Sequence, residues 1–203
     1  MQTPDCPHCD VSGFAYAHTL EETPSFRVVC DVHPLEEGHL LIIAKDHVSC
    51  MGALPPAAFE EFQRLYDSVN HRLSNLYSTT STFEHGIVGQ SVFHAHTHLV
   101  PFNGQATDIV PEGIGSMHGN VLKALPDMFS RESRYLFFSI GEESWTVDAT
   151  LAAPRFFRDR FARALRKPER GDWKWMRTDA RSMREARLEI DRLNKRWSSL
   201  SKD

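Results

Sequence analysis

Ser91-Val-Phe-His94-Ala-His96-Thr-His98-Leu-Val-Pro101 is the stretch on which the reading of the chain turns. Three histidines occupy alternate positions among β-branched, aromatic and aliphatic residues, and Pro101 closes the run. In a strand, successive side chains point to opposite faces. His94, His96 and His98 are therefore expected on one face, roughly 7 Å apart, with Ala95, Thr97 and Leu99 on the other. Imidazole is the side chain that titrates nearest neutral pH. Three on one face fill a core poorly and suit a site for metal, phosphate or proton transfer.

Working outward, Gly86 and Gly89 mark a turn or bulge before this strand, and Thr79–Gly86 is β-branched and aromatic, so a strand itself. Before that, Pro55 and Pro56 suit a helix start. Phe59, Phe62, Leu65, Val69, Leu73 and Leu76 then recur every three or four residues, which predicts one amphipathic helix of about five turns. Phe26–Val32 and His39–Ala44 read as strands joined by the turn His33–Gly38, short enough for an antiparallel pair. Downstream, Phe102–Arg134 is weakly patterned, with a short helix near Asn120–Leu125. Tyr135–Ile140 and Ser144–Ala149 form a hairpin around Gly141. Leu151–Leu165 is helical with Pro154 in its first turn, and Pro168 and Gly171 break it. Asp179 caps a last helix with the stripe Met183, Ala186, Ile190, Leu193 and Trp197. The expected class is α+β: an antiparallel sheet, one long helix packed on it, and C-terminal helices.

The 203 residues fit one domain, or one domain with an appendage. No apolar run approaches the roughly 20 residues of a membrane span, and the N-terminus lacks a signal-peptide pattern. A soluble, cytoplasmic protein is expected. In that setting Cys6, Cys9, Cys30 and Cys50 are free thiols or metal ligands rather than disulfides. Charge is unevenly spread: residues 151–203 hold 16 Lys/Arg against 8 Asp/Glu, while residues 1–150 hold 7 against 19. The basic part either meets an anionic partner or packs on the acidic part of its own chain.

The three histidines admit three readings by themselves: a metal held by all three, a nucleophilic imidazole polarised by its neighbours, or a histidine-rich surface strand. Gly89-Gln90-Ser91, just before the strand, offers backbone N–H groups, an amide and a hydroxyl, which are anion ligands. Anion ligands beside an imidazole point to phosphoryl or nucleotidyl transfer.

The same residues resemble the histidine-triad (HIT) superfamily. His94-Ala-His96-Thr-His98-Leu-Val100 is similar to its His-x-His-x-His-x-x signature, with Thr97 a mild departure from a hydrophobic x. Gly89-Gln90-Ser91-Val92 matches the lead-in. Asp31-Val-His-Pro34 through Gly38-His39-Leu-Leu-Ile-Ile-Ala-Lys45-Asp-His47 resembles the family's upstream segment. The likeness covers about residues 5–102. It implies that His96 attacks the α-phosphorus of a nucleotide and forms a covalent nucleotidyl-histidine. His98, Gln90 and Ser91 would hold the non-bridging oxygens, with His94 completing the catalytic triad. Asp31 would take the ribose hydroxyls, unless it is merely a turn residue before Pro34, and His39 would line the phosphate site. Where the family carries asparagine, this chain has Glu84-His85. A carboxylate there would repel a polyphosphate unless protonated or metal-bound, and His85 would compensate.

Cys6-Pro-His-Cys9 alone is redox-active or simply two thiols. Resemblance to members with such a pair implies a structural zinc on Cys6, Cys9, His47 and His94, with His8 a spare candidate and no organic cofactor. Cys30 and Cys50 are read as ordinary buried thiols. Homodimerisation is carried over from the family. Outside the likeness, Arg155, Arg158, Arg160, Arg163 and Arg166 serve a polyphosphate or nucleic acid, or form a solvated helix face, which is favoured. Trp173 and Trp175 either stack on a base or cover a core.

The chain is thus expected to comprise a HIT-like catalytic domain, 1–150, and a basic helical extension, 151–203, packed on or next to it. The expected activity is hydrolysis or transfer at the α-phosphate of a dinucleoside polyphosphate, phosphoramidate or similar conjugate. Its rivals are a nucleotide or nucleic-acid binding sensor or repair protein on the same fold, and a zinc-dependent hydrolase.

Overall fold

The structure, a computed structural model, describes Thr3 and residues 5–113 and 121–200. Its strands are β1 (Thr19–Glu22), β2 (Phe26–Cys30), β3 (Leu40–Ala44), β4 (Thr80–Gly86), β5 (His96–Pro101), β6 (Tyr135–Ile140) and β7 (Glu143–Val147). Its helices are α1 (Pro56–Tyr77), α2 (Ala106–Ile109), α3 (Val121–Glu132), α4 (Phe156–Ala164), α5 (Trp173–Met176) and α6 (Ala180–Ser199). The strands pair antiparallel throughout, in the order β1-β2-β3-β5-β4-β6-β7. The fold is α+β, as expected.

Period-two alternation gives the sheet two different faces. On one, Phe26, Val28, Leu40, Ile42, Leu99 and Phe137 meet the α1 stripe of Phe59, Phe62, Leu65, Val69 and Leu73. Each such side chain contributes about 1.5–3 kcal/mol on full burial. Ile190, Leu193 and Trp197 of α6 join this core, and the Arg72 guanidinium lies 3.9 Å from the Trp197 ring centre. On the other face, Phe83, Val100, Leu136 and Phe138 pack with Phe157 and Phe161 of α4. The C-terminal part therefore supplies apolar residues to both cores.

Its charges meet the acidic part of the chain. Lys167 pairs with Glu36, Arg192 and Arg196 with Glu37, Arg160 with Glu112, and Arg158 with Asp31. Of the two explanations for the uneven charge, these contacts match packing on the chain's own acidic surface.

The turn between β2 and β3 needs glycine at Gly38: its φ is +95°, and a Cβ there would lie 2.6 Å from Pro101. Several boundaries differ from the sequence reading. The histidine strand begins at His96, because His94 N–H bonds back to the Val92 carbonyl while Ala95 N–H is drawn to Val48. Leu151–Leu165 is interrupted: a 3-10 turn at Ala149–Leu151 precedes α4, and Arg155 between them holds a left-handed φ of 62°. The helix expected from Asn120 is seen as α3, with Asn120 itself outside the described residues. The short elements β1, α2 and α5 carried no periodic signal. Among the described residues no helix is long and apolar enough to cross a membrane.

Candidate active site and metal-binding cluster

Only two of the three histidines stand on β5. His96 and His98 lie on the face opposite α1, with ring centres 5.0 Å apart. His94, just before the strand, turns its ring to Cys6, Cys9 and His47. The expected uniform row is thus divided: His94 precedes the strand, its N–H bonded to the Val92 carbonyl, and its ring belongs to the cysteine cluster. The reading in which all three hold one metal loses its geometry with it.

Hydrogen bonds fix the tautomers on the strand. His96 Nδ1–H donates to the His94 carbonyl at 2.7 Å. The neutral ring then keeps its lone pair on Nε2, and His96 lines the pocket. His39 Nδ1 accepts from Leu35 N–H at 3.1 Å, so its proton is on Nε2, and Nε2–H donates to His98 Nδ1 at 2.9 Å. His98 consequently carries its own proton on Nε2. Phe83 stacks on the His98 ring at 4.3 Å and holds its plane. Burial depresses His96 and His98 below the usual imidazole range and takes His39 down to about 4, so all three are neutral.

Asp31 follows β2 and lies beside this chain of rings. Its Oδ1 accepts from His33 N–H at 2.8 Å, its Oδ2 from Arg158 Nη1 at 2.7 Å, and His39 Nδ1 is 3.5 Å away. Burial alone would raise its pKa. The Arg158 guanidinium, helped by the His33 N–H bond, outweighs burial and holds it at about 2.

The Gly89–Ser91 corner borders the same pocket. Gly89 has φ +75°, and a Cβ would meet the Ala153 carbonyl oxygen at 2.6 Å. Gln90 is buried, its amide donating to the Ser49 and His85 carbonyls, while Ser91 is exposed at the rim. His85 lines the pocket, accepts from Phe157 N–H at Nε2, and is depressed by burial to about 3.

Glu84 is not there. It alternates with Phe83 and His85 along β4, so its carboxylate enters the α1 face, where Oε1 accepts from Met51 N–H at 2.7 Å. Burial pushes it up to about 8, which keeps it protonated at neutral pH. The expected repulsion of a phosphate by Glu84 is thus corrected: the carboxyl group lies behind the sheet.

A second cluster forms where the N-terminal loop meets the end of β3. Ligand atoms of Cys6, Cys9, His47 and His94 all lie within 4.8 Å of one another. Cys6 Sγ to His94 Nδ1 is 3.4 Å, Cys9 Sγ to His47 Nδ1 3.4 Å, and Cys9 Sγ to His94 Nδ1 3.6 Å. A tetrahedral zinc, with Zn–S about 2.3 Å and Zn–N about 2.0 Å, sets S···N near 3.5 Å. His94 Nε2–H donates to the Ala44 carbonyl at 2.7 Å, which leaves Nδ1 free for a metal. The residues fit the ion. His8 is not among them: its ring stands edge-on to His96 with centres 4.8 Å apart.

The pocket is lined by His96, His98, His85 and the Gly89 corner. Phe14, Ala15, Val32, His33, Leu41 and Trp173 also line it. Sequence reasoning passed over Phe14 and His33, and placed Arg158 on a solvated face. Pairing of Arg158 with a residue 127 positions away leaves no local signal. Trp175 is exposed and outside the pocket.

Residues 13–104 match the family model of the HIT domain. An uncharacterised HIT-like protein of Borreliella burgdorferi is 24% identical over 151 residues, covering 67% of this chain and 99% of its own. An uncharacterised HIT-like protein of Mycoplasma genitalium is 27% identical over 104 residues, covering 49% and 74%. Similar solved structures include a HIT family protein from Bacillus anthracis, with 21% identity, TM-score 0.44, and 65% and 97% of the two chains covered. Another is a Zn-bound histidine triad family protein from Mycobacterium smegmatis, with 21% identity, TM-score 0.41, and 64% and 96% covered.

Proposed function

We propose that this protein, whose residues 13–104 match the family model of the HIT domain, is a nucleotide hydrolase or transferase working at the α-phosphate through a covalent nucleotidyl-histidine. One observation carries the reading: the His94 carbonyl accepts a hydrogen bond from His96 Nδ1–H, which leaves the Nε2 lone pair unprotonated in a pocket that His98, 5.0 Å away between ring centres, also lines. Substrates are dinucleoside polyphosphates, phosphoramidates or related conjugates.

His96 Nε2 attacks phosphorus, a P–N bond forms, and the bond to the leaving group breaks with its electron pair on the departing atom. Positive charge then grows on the His96 ring, and the Nδ1–H bond to the His94 carbonyl disperses it. His98 Nε2–H and the Gln90–Ser91 corner hold the non-bridging oxygens. Asp31 accepts from the ribose hydroxyls, and His39 keeps the His98 proton on the phosphate side. In the second step water attacks phosphorus, the P–N bond breaks, and the water proton leaves to solvent.

A zinc on Cys6, Cys9, His47 and His94 would be structural, cross-linking the N-terminal loop to β3 and to the residue that orients His96. This reading makes residues 1–150 the catalytic domain and residues 151–203 an extension packed on it, supported by the ion pairs from Arg158, Lys167 and Arg192. A cytoplasmic setting accords with four unpaired cysteines.

The test is adduct trapping. A diadenosine polyphosphate and an adenosine phosphoramidate, each labelled at the α-phosphate, are incubated with enzyme and quenched in base, which a phosphohistidine bond survives. Labelled protein is expected in the wild type and absent in His96→Ala. No adduct, with turnover unchanged in His96→Ala, overturns the proposal.

A further inference from the structure

One wall of the pocket comes from outside the HIT-matched span: Arg155, Arg158 and Trp173 line it together with the triad histidines. Arg158 is buried and its guanidinium fork is committed. Nη1 donates to Asp31, and Nη2 donates to the His33 carbonyl at 2.6 Å and the Arg170 carbonyl at 3.4 Å. Its Nη1 and Nη2 are thus both held by protein acceptors, while the buried Nε has no partner among the described residues. The fork ties three things together: the carboxylate of Asp31, the backbone at His33, and the loop that leads to Trp173.

Trp173 is fixed from its other side by Asp172. That carboxylate accepts from Lys174 and Trp175 N–H, capping the turn, and pairs with Arg155 at 3.3 Å. Arg155 N–H in turn bonds to the Gly89 carbonyl, so the segment is anchored at the phosphate corner too. The Trp173 ring centre lies 5.9 Å from that of His33, and Phe14 approaches His33 at 5.9 Å. These rings line the pocket, and Asp31 connects them to the histidines: its Oδ1 accepts from His33 N–H at 2.8 Å and its Oδ2 lies 4.0 Å from His98 Nδ1. The order aromatic rings, carboxylate, imidazoles runs in the same sequence as base, ribose and phosphate.

Resting on the nucleotide reading above, we infer that the segment from Ala153 to Trp173 completes the nucleoside side of the site: Trp173 contacts the base, and Arg158 is the positioning residue that sets the Asp31 carboxylate for the ribose hydroxyls. Trp173 offers a π-face that any base can meet, so it favours nucleotides over base-free ribose phosphates without choosing strongly among bases. Arg158 makes recognition of the ribose depend on a part of the chain remote from the histidines. Trp175, exposed and outside the pocket, is the built-in control.

The experiment titrates the full-length protein with AMP, with ribose 5-phosphate and with 2′,3′-dideoxy-AMP, following tryptophan fluorescence and, separately, heat of binding. AMP is expected to quench fluorescence in the wild type and in Trp175→Phe but not in Trp173→Phe, and ribose 5-phosphate to quench in none. Affinity for AMP should fall about tenfold in Trp173→Leu, equivalent to about 1.4 kcal/mol. Wild type should favour AMP over its dideoxy analogue, and Arg158→Lys, which keeps the charge and loses the fork, should erase that preference. AMP quenching retained in Trp173→Phe, or a dideoxy preference unchanged in Arg158→Lys, overturns the inference and leaves the nucleotide reading standing. Absence of AMP binding to the wild type overturns both.

Discussion

His94 and His96 are two residues apart, and their environments assign them opposite nitrogens. His94 donates its Nε2–H to the Ala44 carbonyl and presents Nδ1 to two cysteines; His96 donates its Nδ1–H to the His94 carbonyl and leaves Nε2 as its free nitrogen. The choice of nitrogen is made by a backbone acceptor in each case, not by the ring itself. One carbonyl links the two regions: the residue that would hold the metal also orients the nucleophile. The metal-type cluster and the catalytic strand should therefore differ in what they lose when damaged, and the coupling between them should run one way.

The largest effect separates the two outright. His96→Ala removes the bond-forming nitrogen and should lower turnover by on the order of 10³-fold or more. Zinc content and melting temperature should stay near wild type, because the His96 ring ligates nothing. Zinc loss in His96→Ala, measured by atomic absorption, would show that the two regions are one site.

Next in size is the metal side. Cys6→Ser should drop zinc content well below one per chain and cost several kcal/mol of stability, since binding energy of a structural zinc is folding energy. Turnover should fall as well, through the displaced His94 carbonyl, and part of it should survive at temperatures where the variant stays folded. Full activity and stability in Cys6→Ser would remove zinc from the account. Activity lost without any change in melting would recast the ion as a catalytic partner.

A smaller effect tests how the catalytic strand keeps its tautomers. His39→Phe fills the space but cannot donate to His98 Nδ1, so the His98 proton is free to sit on either nitrogen. By analogy with the loss of residues that orient metal-bound histidines, kcat should fall about tenfold or somewhat more. KM should change little if His98 acts mainly on the transition state. A rise in KM with kcat unchanged would move His98 to ground-state binding.

How far the sequence carries these distinctions depends on the range of the interactions. The sheet, α1 and α6 were legible because apolar period alone determines them. The cluster of Cys6, Cys9, His47 and His94 was legible through family likeness, and its spacing accords with it. The turn of His94 out of the strand was not legible: it depends on Ala95 pairing with Val48, a contact between distant segments. Arg158 on Asp31 is of the same kind. Glu84 is different, because its side of the sheet was available in the sequence. A strand over Thr79–Gly86 that sends His85 toward the phosphate must send Glu84 to the other face. The motif comparison aligned the residue with the site, while the alternation placed it behind.

Glu84 offers the mildest test, as a residue in neither region and on the reverse of the strand that pairs with β5. Its carboxyl is raised by burial from an ordinary 4.5 to about 8 in the folded protein. Below pH 4.5 folded and unfolded chains both hold the proton. Between there and about pH 8 only the folded chain does, so the unfolded chain binds fewer protons and stability falls as pH rises, by at most about 1.4 kcal/mol per unit. Glu84→Gln keeps an oxygen for Met51 N–H and carries no titrating proton. In urea titrations across pH 5–8, the wild-type midpoint should therefore slope downward more steeply than that of the variant, and the two should separate most near pH 8. Nucleotide turnover should be the same in both, since the carboxyl group faces α1. Parallel midpoint curves would show that Glu84 is ionised in the fold, and a change in KM for the nucleotide would return it to the phosphate side of the sheet.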